Sequence, residues 1–116
     1  MRVIGILICL SLLAACGGGN RYDREPAQVM RLSGGPIARA CLASDRKARS
    51  RELCGCIQTV ANQDLSGQDQ RMAVKFYKDP HRAQEIRQSD RSTHEAFWKR
   101  YTGYAARAEQ LCRIYR

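Results

Sequence analysis

The residues with the most chemical potential in this chain are cysteines. Cys54 and Cys56 stand in "RELCGCIQTV" with one glycine between them, and Cys41 and Cys112 lie to either side in sequence. A C-x-C of this kind suits three chemistries: a redox pair, half of a metal site, or the ends of two separate disulfides. Structural zinc usually takes paired C-x₂₋₄-C ligands, and here there is a single close pair at the wrong spacing. A c-type haem needs C-x-x-C-H, which is absent. A redox C-x-C would sit in a thioredoxin-like unit, and nothing around residues 54–56 has that pattern.

Other reactive constellations are missing. His81 and His94 stand alone, and His94-Glu95 lacks the second histidine of H-E-x-x-H. His81 reads as a first-turn surface residue and His94 as part of a helix cap. No Ser/His/Asp set, glycine-rich phosphate loop or paired carboxylates can be assembled, so the chain reads as non-enzymatic, without metal or cofactor. The remaining candidate is electrostatic. The turn "DRKARSRE" places Arg46, Lys47, Arg49 and Arg51 within six residues, a candidate site for an anion or an acidic partner.

The compartment decides what the cysteines do. "MRVIGILICLSLLAAC" has a single positive residue, Arg2, then an apolar run from Val3 to Ala15. That run is shorter than the roughly 20 residues of a spanning helix and has the shape of an export signal. Its end, Leu13-Ala14-Ala15-Cys16, looks like a bacterial lipobox. The reading is a signal peptide over 1–15, cleavage, and acylation of Cys16. Two or more acyl chains anchor a protein stably to a membrane. Gly17, rather than an aspartate, favours the outer membrane, with the domain facing the periplasm.

An exported domain with four cysteines left, Cys9 going with the signal, reads as a two-disulfide framework. The net charge of +9 loses one unit with Arg2, and 16 of the 20 basic residues are arginine. Nucleic acid is not the partner expected outside the cytoplasm. Anionic headgroups, lipopolysaccharide phosphates, wall polymers or acidic proteins are. Residues 16–35 read as the lipidated cysteine plus a flexible tether, with a short helix in "AQVMRL" as an option. Residues 36–116 read as the domain.

The elements that must position these groups are helices. No stretch alternates with period two, and several repeat at helical spacing. Pro36 suits a first helical position, followed by Ile37, Ala40 and Cys41 on one face. A second helix from about Ser50 carries Leu53, Cys56, Ile57, Val60 and Ala61. Ser66 with Asp69 resembles a capping box opening a third, with Met72, Ala73 and Phe76. Asp79-Pro80 signals a fourth start, with Ala83 and Ile86 inward. Ser92 with Glu95 caps the last, whose stripe runs Phe97, Tyr101, Tyr104, Ala108, Leu111, Tyr115, with Trp98 beside it. These aromatics read as core rather than as a ligand platform. Gly103 falls inside this helix, where it costs up to about 1 kcal/mol against alanine unless it permits close helix approach. The expected architecture is all-α: a compact bundle of four to five helices stapled by two disulfides.

Helix geometry narrows the pairing. At about 100° per residue, Cys54 and Cys56 fall about 80° to either side of the buried stripe. A direct bond between them is strained. Cys41 and Cys54 are nearly equidistant from the turn at Lys47, so an antiparallel hairpin sets them level. This favours Cys41–Cys54 with Cys56–Cys112 over the exchanged pair, Cys41–Cys56 with Cys54–Cys112.

The segments "LCGCIQ" and "FYKDPHRAQEIRQSDR", with matching stretches over almost all of residues 36–116, resemble a family of small alphaproteobacterial lipoproteins. Many of its members carry the label "arginine transporter". The resemblance implies an accessory or solute-binding part in arginine or amino-acid uptake. Physical chemistry points elsewhere: a chain with no membrane span forms no pore alone, and a receptor for cationic arginine presents carboxylates, which here are scattered among arginines.

Overall fold

A computed structural model describes residues 32–116; Cys16 and the segments read as signal peptide and tether, up to residue 31, lie outside the described residues. Five α-helices follow one another: α1 (Pro36–Ala43), α2 (Arg51–Asp64), α3 (Gly67–Lys78), α4 (Pro80–Gln88) and α5 (Ser92–Cys112), ending in a 3₁₀ turn over Arg113–Tyr115. The fold is all-α with two disulfides, as the spacing predicts. Cys41 bonds Cys54 and Cys56 bonds Cys112, with Cα atoms 5.6 and 5.7 Å apart.

The starts of the helices follow local chemistry. Ser50 accepts the Leu53 N–H, Ser66 accepts the Asp69 N–H and Asp79 accepts the His81 N–H, each satisfying a donor that the first turn leaves without a helical partner. Two expected caps are built differently. Asp69 does not reach back to close a capping box. Its carboxylate takes a two-point bond from Arg100 of α5, at 2.7 and 3.0 Å. Ser92 is the first residue of α5 rather than its cap, and that end makes no side-chain cap bond. Ser89 accepts the Arg91 N–H and pairs with His94 Nδ1 instead.

The second helix is central. α1 packs on one side of it and α5 on another, so burial spreads beyond a single stripe. Leu53, Cys54, Gly55, Cys56, Gln58, Val60 and Ala61 are all buried, while Ile57 is only half-buried. Gly55, between the cysteines, has its own reason. Residues 32–35 cross α2 there, Ser33 N–H bonds the Gly55 carbonyl, and a Cβ on Gly55 would lie 2.9 Å from the Leu32 Cβ. The packed part therefore reaches back past Pro36 to Leu32.

Gln58 is fully buried and organises the polar interior. Its Oε1 accepts the Ala38 N–H, capping α1, and its Nε2 donates to Asn62 and Gln70. Gln70 in turn donates to the Ala61 and Leu65 carbonyls, closing the α2–α3 turn. Gly35 is required by the same group: a Cβ there would sit 2.6 Å from the Gln58 amide carbon.

Two further expectations shift. On α1 Ala38 is buried in place of Ala40, because α1 packs against α3 as well as α2. On α5 the stripe ends on Cys112, drawn in by its disulfide, and Leu111 is exposed. Gly103 faces open space, with nothing near an added Cβ, so it permits no close approach. Phe76, Ile86 and Phe97 form a second core beneath α4, with Trp98 and Tyr101 packed against it.

Candidate functional site

The basic turn is the connection between α1 and α2, residues 44–50. Its two flanks are fixed. Ser44 bonds back to the Cys41 carbonyl at 2.6 Å, Ser50 caps α2, and the Cys41–Cys54 bond closes the base. Within the turn, the Arg46 carbonyl accepts both the Arg49 backbone N–H and Arg49 Nη1, at 3.2 and 3.0 Å. A seven-residue polar segment is thereby held in one shape with almost no apolar burial.

Arg46, Lys47, Arg49 and Arg51 are all exposed. Among the described residues none of the four is ion-paired; the carboxylates of Asp64, Asp69, Glu85 and Glu109 are taken by other cations. The four do not act as one patch, however. Arg46 and Arg49 turn onto a cleft between the loop and α5, whereas Lys47 and Arg51 do not line it.

That cleft measures ≈ 360 Å³. Leu53 and Ile57 of α2 and Ala105 and Ala108 of α5 supply its apolar wall, and Tyr77, Tyr101 and Tyr104 line it with phenols. Arg116 and Glu109 stand at its margin, bonded to each other at 3.4 Å. The Arg46 guanidinium lies over the Tyr77 ring, 4.8 Å from its centroid. Such stacking is attractive through the ring quadrupole.

The tyrosine hydroxyls make no hydrogen bond to a described residue, and every fully buried side-chain polar atom does have a partner. These hydroxyls therefore keep some access to solvent, and all three tyrosines line the cleft. Burial pushes all three phenols up, with the positive charge of Arg46 pulling weakly the other way. They remain neutral donors across the physiological range.

No family model, curated protein or solved structure matches this chain.

The cleft was only half visible in the sequence. The spacing marks the basic turn but reads Tyr101 and Tyr104 as core. Tyr104 is core by burial, yet it also lines the cleft. A pair of tyrosines three apart, where other core positions hold Phe or Ala, was the available signal. Cys54 and Cys56 are committed to different partners and buried, so no Cys54–Cys56 bond exists. Among the described residues, no group of three or more His, Cys, Asp or Glu is placed to hold a metal, and no helix is long and apolar enough to cross a membrane.

Proposed function

We propose that this protein is a lipid-anchored, periplasm-facing binding module that docks through its arginine loop on anionic groups of the cell envelope or on an acidic protein. Acylated Cys16 would hold it to the membrane, the outer one by the Gly17 criterion. The observation that carries the reading is the loop itself: four exposed cations with no paired carboxylate, on a segment whose base is closed by a disulfide. A pre-shaped cationic loop loses little conformational entropy on docking. It also steers anionic partners electrostatically.

The arginine-uptake reading finds less support. A guest arginine needs a free carboxylate, and the cleft's lining offers only Glu109, already bonded to Arg116, alongside Arg46 and Arg49.

Crosslinking in intact cells tests the proposal. Reversal of Arg46, Lys47, Arg49 and Arg51 to glutamate should abolish the crosslinked partners, and the Lys47→Glu, Arg51→Glu pair alone should weaken them. Unchanged partners in the fourfold variant would end the docking reading. Loss of fatty-acid labelling in Cys16→Ser checks the anchor, and a calorimetric titration with arginine should give no saturable heat.

A further inference from the structure

We infer that the cleft behind the arginine loop is a binding site for a small aromatic carboxylate. The inference does not rest on envelope docking, because Lys47 and Arg51 take no part in the cleft.

Size sets the first limit. A volume of ≈ 360 Å³ lies at the small end of the roughly 300–1,000 Å³ that small-molecule sites occupy. The wall sets the second limit. Tyr101 and Tyr104, with ring centroids 5.9 Å apart and planes tilted by 53°, present a corner of two aromatic surfaces beside Ile57 and Ala108. A flat ring gains edge and face contacts there that a flexible aliphatic chain does not.

Charge sets the third. Glu109 is balanced by Arg116, so Arg46 and Arg49 are left for a guest. Arg46 is the better placed. It lies over the Tyr77 ring, and its N–H groups have no acceptor among the described residues. A guanidinium with its N–H groups free is a two-point donor to a carboxylate. Arg49 is oriented by the bond to the Arg46 carbonyl, which occupies one of its nitrogens and leaves the others.

Tyr104 is the independent observation. It is 5 % exposed and lines the cleft, and its hydroxyl makes no bond to a described residue. Buried tyrosine hydroxyls usually find a partner. One left without a protein partner beside a cleft can donate to a polar atom of a guest. The guest is thus a ring bearing a carboxylate at the Arg46 edge, its body seated against Tyr101 and Tyr104.

The test is calorimetric, on the oxidised full chain in detergent micelles, with empty micelles as blank. The probes are 2-naphthoate, its neutral analogue 2-naphthalenemethanol, and acetate. Naphthoate should bind at least about tenfold more tightly than the alcohol or acetate. Arg46→Gln should remove most of that preference for the acid. Tyr104→Phe, which keeps the ring volume, should weaken naphthoate about three- to tenfold while the far-ultraviolet spectrum stays unchanged. Arg87→Gln, exposed on α4, should bind as the parent does. The inference is overturned by no saturable naphthoate binding up to about 10 mM, by equal affinity for acid and alcohol, or by an Arg46→Gln variant with parental affinity.

Discussion

The two ends of α5 are held by different means. Its C-terminal half, with α1 and α2, is gripped by covalent bonds: Cys56–Cys112 reaches α5 directly, and Cys41–Cys54 ties α1 to the helix that α5 leans on. Its N-terminal half packs with α3 and α4 through an aromatic cluster, joined by the Arg100–Asp69 ion pair to α3. Phe76 meets Phe97, Trp98 and Tyr101 edge-on, with centroids 6.0, 6.4 and 5.1 Å apart. The difference follows from what each end carries. The first end supports a polar arginine loop that buries little apolar surface, so packing cannot fix it and disulfides do. The second has no such loop, and large side chains with one ion pair hold it.

Removing the longer staple should break this contrast most severely. The Cys56→Ser, Cys112→Ser variant frees a loop with a sequence separation of 56 and should lose about 4 kcal/mol in the chain-entropy account. Urea midpoints against the parent measure this. A loss under about 1 kcal/mol would mean that packing holds both ends alike. Phe76→Ala should cost about 3 kcal/mol at the other end, through the lost ring and the cavity left behind. Hydrogen exchange then sharpens the comparison: protection should fall in α3 and α4 and persist in α2. Equal loss in both halves would show one cooperative unit instead.

Gln58→Leu probes the polar interior of the covalent end. It strands the Ala38 N–H and the Gln70 Oε1 and should cost about 2 kcal/mol, read as a lower melting temperature. The smallest effect has the opposite sign. Gly103→Ala fills open space on the exposed side of α5 and should stabilise by up to about 1 kcal/mol. A lower urea midpoint would mean that the glycine has a purpose the packing does not reveal.

What was legible in the sequence was what depends on near neighbours in the chain. Ser50, Ser66 and Asp79 announce helix starts because a cap needs only the next turn. Cys54 and Cys56 point to different partners because two positions on a helix are fixed by its pitch. The parts that were not legible depend on distant contacts. Asp69 looks like half of a capping box until Arg100, far along the chain, claims its carboxylate. Gln58 looks like a polar surface position on an amphipathic helix, but α2 is covered on more than one side. Leu111 and Cys112 compete for the same buried direction, and the disulfide decides. The cleft belongs to this second kind, since its tyrosines come from α3 and α5 and its arginines from the α1–α2 loop and the last residue, Arg116.

The order of the two staples along the chain has a mechanical meaning. Tension applied between Leu32 and Arg116 runs down α1 to Cys41 and crosses to Cys54. It passes through Gly55 to Cys56 and crosses again to Cys112. The arginine loop, most of α2, and all of α3 and α4, with the cleft's tyrosines, hang beside that covalent line and carry none of the load. A domain pulled from its N-terminal side would stay threaded on Cys-Gly-Cys, with its arginine loop slack.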